Sequence, residues 1–214
     1  MRCSCGSSLL EDPSHFLSCN LLKATVLNLR HNLVSNCLST WATRLGAACV
    51  VEPSGLDPLS LKRPDILICL PHTSYLVDVS IRHPTAPSNL RLAHQPLAVV
   101  KQAEQRKHAK YDQMAAAINS AFVPFIMETH GGYGPEALKL ISDLVPPDTS
   151  PLDNLYPLHQ TAFDLRSSLA IALQRGNAHA VMVGLSHARA AVSAPLPPSL
   201  HTSSALRFKR RRTH

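Results

Sequence analysis

Asp65 and Asp78 have twelve residues between them, in a stretch that reads as two short strands joined by a turn. Residues 65–70 (Asp-Ile-Leu-Ile-Cys-Leu) and 75–81 (Tyr-Leu-Val-Asp-Val-Ser-Ile) are rich in apolar and β-branched types, and Pro71–Ser74 has the length of a hairpin turn. If these strands pair, the two carboxylates come close together across the ladder. Like charges placed side by side repel unless a cation bridges them. A hard divalent ion such as Mg²⁺ or Mn²⁺ prefers carboxylate oxygens, keeps open water positions and can activate water against a phosphodiester. The plainer alternative has Asp65 capping a turn and Asp78 facing solvent on an alternating strand. Leu76, Val77, Val79 and Ile81 flank Asp78, however, so the strand reads as buried, and buried carboxylates are paired or ligating. Glu52, at the end of the preceding strand, is a third candidate carboxylate for the metal, or else an exposed strand end. Glu128, ending a later strand, is a more remote candidate.

A second group of side chains sits at the N-terminus. Cys3 and Cys5 are one residue apart and point the same way along an extended chain, and Gly6 permits a tight turn after them. His15 and Cys19 are four apart, hence on one face of a helical turn. Three thiolates and an imidazole make a closed tetrahedral Zn²⁺ site, and a segment this short would draw its folding energy from the metal. The alternative is free thiols with an incidental histidine. Cys37, Cys49 and Cys69 fall on apolar faces and read as packing residues.

The elements that must position these groups follow from periodicity. Residues 21–45 carry Leu22, Val26, Leu29, Leu33, Leu38, Trp41 and Leu45 at helical spacing, with Gly46 as the stop. Residues 47–52 form a first strand that Pro53 ends. A helix over about 97–120 carries Lys101, Lys107 and Lys110, and a fourth strand covers 121–128, where Pro124 asks for an edge or a bulge. Gly131, Gly132 and Gly134 turn the chain into a helix at 135–145, with Pro135 suited to its first turn. A final helical region spans 164–192, with an interruption expected at Gly176-Asn177. Three meandering strands, a crossover helix and a fourth strand predict a mixed α/β sheet covered by helices. The expected organisation is a Cys/His zinc knuckle at 1–20, a catalytic domain at 21–145, a Pro-rich linker at 146–163, the helical region at 164–192 and a disordered basic tail at 193–214.

These motifs also follow one another in a recognisable order. Cys3-Ser4-Cys5-Gly6, then Asp12-Pro13-Ser14-His15-Phe16-Leu17-Ser18-Cys19, then Arg30-His31-Asn32 precede Arg63-Pro64-Asp65 and Val77-Asp78-Val79-Ser80. Lys107-His108-Ala109-Lys110-Tyr111 and Ala170-Ile171-Ala172-Leu173-Gln174-Arg175-Gly176-Asn177 come after. Over roughly residues 1–190 the succession resembles the C-terminal region of site-specific non-LTR retrotransposon proteins, downstream of their reverse transcriptase. That resemblance implies a zinc knuckle followed by a PD-(D/E)XK restriction-endonuclease-like core, with Asp65 and Asp78 as the metal carboxylates. The superfamily usually places a lysine two residues after the second acid. Here that position is Ser80, and the retrotransposon branch is similar to this chain in carrying its lysine on the following helix. Lys107 and Lys110 lie on nearly one helical face, and Lys110, beside Tyr111, is the preferred catalytic lysine, with Lys107 an alternative or part of a solvated stripe.

The implied activity is a Mg²⁺- or Mn²⁺-dependent DNA endonuclease that nicks a chromosomal target and leaves a 3′-hydroxyl to prime reverse transcription. The implied setting is the nucleus. DNA is the expected partner and element RNA a second, with the chain acting as part of a longer polypeptide, since a ligand at Cys3 so close to Met1 suggests an end or a truncated copy. The competing reading is a catalytically inactive zinc-knuckle module that only binds nucleic acid. Composition fits either. The net charge is +7, but Arg207, Lys209, Arg210, Arg211 and Arg212 supply five of it and leave +2 over the rest. Such a tail binds phosphate by counterion release or serves as an import signal. No apolar stretch is long enough for a signal peptide or a membrane span, so the cysteines are read as metal ligands in a reducing compartment rather than as disulfides.

Overall fold

The computed structural model describes residues 1–56, 63–145 and 158–193. The expected linker at 146–163 lies outside these residues apart from 158–163, and so does the basic tail beyond Ser193.

A short 3₁₀ turn (Asn20–Leu22) and a π-helical turn (Lys23–Leu27) lead into helix α1, Asn28–Arg44. Arg30, Val34, Leu38 and Ala42 recur every four residues on its buried side, so one stripe faces inward and opens with an arginine. Gly46 ends the helix in the left-handed region (φ 93°), which lets the Ala47 N–H reach back to the Ala42 carbonyl. Strands β1 (Ala48–Val51), β2 (Ile66–Cys69) and β3 (Ser74–Arg82) then form an antiparallel meander. Helix α2 (Ala98–Ala117) crosses over the sheet, and β4 (Ala121–Glu128) pairs parallel to β3, giving the order β1-β2-β3-β4. Pro124 therefore sits on an edge strand, in register with Asp78, where a missing N–H is tolerated. Helix α3 (Pro135–Leu144) begins with its proline, and α4 (Leu158–Ser193) closes the described chain.

The sheet is covered on both faces because its strands alternate apolar side chains both ways. Ile66, Ile68, Val77, Val79, Phe125 and Met127 pack with Val34 and Leu38 of α1, Leu140 of α3 and Leu165, Leu169 and Leu173 of α4. On the opposite face, Leu76 and Phe122 meet Tyr111 and Met114 of α2, and Ile126 meets Val100 and Ala103. Cys37 and Cys49 are partly buried against the first of these cores, in line with a packing role.

Helix α4 runs unbroken through Gly176-Asn177, where an interruption was expected. Glycine costs a helix about 1 kcal/mol relative to alanine, but here tertiary contact decides. A Cβ at Gly176 would lie 2.5 Å from Arg30 Cγ, so glycine is what lets α1 and α4 approach. Asn177 then joins three segments: its Oδ1 accepts from Arg30 (3.0 Å) and its Nδ2 donates to the Thr129 carbonyl (2.8 Å).

The N-terminal segment folds as a loop closed by an Arg2–Ser8 bridge, with Gly6 at φ 93° turning the chain back. Cys3, Phe16, Cys19, Leu22 and Val26 pack on Ala180 and Ala188 of α4. Gly184 lies beneath Phe16, whose Cδ1 stands 2.2 Å from where a Cβ would be.

Candidate functional site

Asp65 directly precedes Ile66, whose register partner is Val77, and Asp78 directly follows Val77. The main chain and the carboxylate of Asp65 bracket Asp78: the Asp65 N–H donates to the Val77 carbonyl (3.0 Å), and Asp65 Oδ2 accepts from the Val79 N–H (2.6 Å). The hairpin thus sets the two aspartates beside one another, as their spacing predicted. Asp78 is only 3% exposed, beneath α2.

Each carboxylate has a cation of its own. Lys107 Nζ, reaching down from α2, donates to Asp78 Oδ2 and forms an ion pair with it. His31 Nε2, from α1, lies 3.2 Å from Asp65 Oδ2 and 3.2 Å from the Val79 carbonyl. The hydrogen bond to Asp65 raises the His31 imidazole to about 9 against the opposing pull of burial, so it is protonated at neutral pH. His31 belongs to the Arg-His-Asn run, and its contact with Asp65 places it at the carboxylate pair. Lys110 takes a different route. Its Nζ donates to the Tyr111 hydroxyl (2.8 Å) and stands 4.5 Å above that ring. Tyr111 in turn donates to the Arg63 carbonyl (3.1 Å), and its ring stacks on Phe122. Burial, with Asp78 and Asp65 nearby, pushes the Tyr111 phenol above the ordinary tyrosine range, which holds it as a donor. Tyr111 therefore both packs and orders Lys110.

Glu52 is not drawn into this group in the same way. It is exposed, at φ 49° just past β1, and its main-chain N–H donates to the Asp65 carbonyl (2.7 Å). Glu128 ends β4, where its N–H donates to the Gly132 carbonyl (2.7 Å). Ser80 lies two residues beyond Asp78 on the same side of β3 and lines an adjacent cleft.

The Cys/His residues meet more completely. Ligand atoms of Cys3, Cys5, His15 and Cys19 all lie within 4.8 Å of one another, and no other such group of three or more occurs among the described residues. Cys3 Sγ and Cys19 Sγ are 3.7 Å apart, against about 3.8 Å for two thiolates on a tetrahedral zinc with bonds of about 2.3 Å. Cys5 Sγ is 3.0 Å from His15 Nε2. Partial burial works to raise Cys5, but hydrogen bonds from Ser7, Cys3 and His15 outweigh it and bring the thiol down to about 6. Burial pushes Cys19 up to about 11. The cluster is thus able to take a metal ion. His15 Nδ1 faces the Asp12 carboxylate at 3.9 Å, and Asp12 also holds the Ser14 hydroxyl (2.7 Å). Ser14 Oγ reaches His83 Nε2 (3.0 Å) and so ties the cluster to the end of β3.

The described chain is a mixed α/β sheet domain with a Cys₃His cluster docked on its last helix, and no helix among the described residues is long and apolar enough to cross a membrane. No protein-family model matches the sequence. The chain is similar to the 132 kDa protein of the retrotransposable element SLACS from Trypanosoma brucei gambiense, with 27% identity over 190 residues. The match covers 84% of this chain but only 15% of the length of that relative.

Proposed function

We propose that this chain is a metal-dependent DNA endonuclease with a PD-(D/E)XK-like core, acting as the C-terminal part of a longer retrotransposon protein that also carries a reverse transcriptase. The observation that carries the reading is the side-by-side placement of Asp65 and Asp78 under α2, with Lys107 and the Lys110–Tyr111 pair alongside. The element order, helix, three strands, helix and strand, supports the same reading, and so does the similarity to a retrotransposable-element protein. Asp65 and Asp78 would hold Mg²⁺ or Mn²⁺; Glu52, one residue past β1 and bonded to Asp65 through its N–H, is a third candidate ligand. When bound, such an ion supplies an activated water and neutralises charge on the phosphodiester.

The chain's own groups prepare that chemistry. Lys107 and His31 each pair with one of the two adjacent carboxylates and offset the repulsion between them. Lys110, oriented by Tyr111, supplies the cation that offsets charge developing on the phosphate. Cys3, Cys5, His15 and Cys19 would hold Zn²⁺ and fold the N-terminal segment. The nick would prime insertion into chromosomal DNA in the nucleus, with DNA as target and element RNA as a second nucleic acid within reach.

A second reading, a nucleic-acid-binding module without catalysis, draws on Ser80 in the usual lysine position and on carboxylates already paired with Lys107 and His31. Titration of the full chain with Mn²⁺ followed by electron paramagnetic resonance separates the two. The nuclease reading expects a bound ion that disappears in both Asp65→Ala and Asp78→Ala. Equal binding by wild type and both variants would favour the inactive module.

A further inference from the structure

Beyond Ser80, the end of β3 and the start of α1 form the walls of a cleft of about 330 Å³. Its lining includes Lys23, Arg30, His31, Arg82 and His83, and no acidic residue of the described chain is among them. Among the described residues neither Arg30 nor Arg82 forms an ion pair, and each has a buried guanidinium nitrogen. Arg30 is 4% exposed; its Nη1 binds the Leu17 carbonyl and Asn177, while its Nε is buried without a partner. Arg82 Nε is likewise buried without a partner. Burial brings the Arg30 guanidinium down to about 10, with no carboxylate to restore it. Burial and Arg106 also lower Arg82, which Asp78 only partly offsets. Both remain charged at neutral pH. Burying the Arg30 guanidinium without a carboxylate is unfavourable, and an anion in the cleft would compensate it.

The placement of the cleft identifies that anion. Asp78, Ser80 and Arg82 alternate onto one side of β3, so Arg82 stands about 13 Å along the strand from Asp78. His31 lines the cleft and also contacts Asp65, so it stands between the cleft and the carboxylate pair. A polymer whose phosphate lay at Asp65 and Asp78 would carry its neighbouring phosphates into it. We propose that this cleft binds a backbone phosphate of the DNA strand, next to the one held at the carboxylates, with Arg82 and Lys23 as its contacts and buried Arg30 as a fixed positive charge behind them. The proposal rests on the nuclease reading for what lies next door, but not for its readout.

The test is binding of a short DNA duplex to the full chain by fluorescence anisotropy across a KCl series, which needs no cleavage. Arg82→Gln and Lys23→Ala should each weaken binding several-fold irrespective of sequence. Each should also reduce the slope of log K against log salt by about 0.9, the loss of one phosphate contact. Lys139→Ala, on the exposed side of α3, should leave affinity and slope unchanged. Inorganic phosphate should displace the duplex no better than KCl of equal ionic strength; specific displacement would mean a free-phosphate pocket and overturn the proposal. Folded Arg82→Gln and Lys23→Ala proteins with wild-type affinity and slope would overturn it as well, even if the wild type nicks DNA. Slope changes in a protein that never nicks would keep the phosphate cleft and remove the nuclease reading.

Discussion

At the scale of single residues, the proposed nuclease would divide between Lys107 and Lys110 of α2 the work that one lysine does when it follows the second acid directly. Lys107 pairs directly with Asp78, whereas Lys110 donates to the Tyr111 hydroxyl. An ammonium already bonded to a metal carboxylate competes with the metal, so Lys107→Ala should lower the Mg²⁺ concentration needed for half-maximal nicking and weaken DNA binding in a salt-dependent way. Lys110→Ala should leave that concentration unchanged and slow single-turnover nicking by roughly 10²-fold, the scale of losing one preorganised stabiliser. The reverse pattern would assign the catalytic cation to Lys107, and no effect from either would exclude both. The carboxylate pair was legible because a hairpin of this length fixes which residues meet. The part played by His31 was not, since its partner Asp65 is 34 positions away and helical periodicity places it only on a surface.

At the scale of elements, strands and helices declared themselves through apolar periodicity, Gly46 and Pro135, but the continuity of α4 did not. Its Gly176 reads as a break in sequence, yet Gly176 and Gly184 are both points of close approach, to Arg30 and to Phe16. Gly184→Ala should therefore destabilise the fold by about 1–3 kcal/mol through overpacking against Phe16, read as a lower midpoint in thermal or urea unfolding. The same packing couples the Cys/His segment to α4. Chelation of zinc, or Cys5→Ser, should raise amide hydrogen exchange through residues 1–20 and in α4 around Ala180–Ala188, while β2 and β3 stay protected. A protected N-terminal segment after metal removal would contradict a structural ion there. Helices α2 and α3 are joined by His108, which meets Asp112 (2.7 Å) and Glu136 (2.6 Å). Burial opposes protonation of His108, and these two carboxylates overcome it, raising the imidazole above its ordinary value. A raised folded pKa stabilises fully below the unfolded value near 6.5 and loses that contribution as pH rises through the folded one. Wild type should thus lose up to about 1 kcal/mol relative to His108→Gln across that window, with the pair partly screened by solvent; parallel pH–stability curves would contradict it.

At the scale of the whole molecule, the chain spans only 15% of the length of the SLACS relative, and its described residues set a Cys/His cluster at one end, a carboxylate pair at the sheet, and a basic cleft between them. Ser14 links the cluster to His83 at that cleft, so the two ends are mechanically joined rather than strung together. What sequence alone left out is this junction, because it depends on the long-range meeting of residues 14, 30, 83 and 177. Whether Asp65 and Asp78 make this chain a nuclease is decided by conversion of supercoiled plasmid to nicked circles by the purified chain. Nicking should require Mg²⁺ or Mn²⁺, leave a 3′-hydroxyl extendable by a polymerase, and fall by at least about 10²-fold in Asp78→Asn while duplex binding is kept. Nicking at the wild-type rate by Asp78→Asn, or none by folded, metal-loaded wild type, would contradict the nuclease reading.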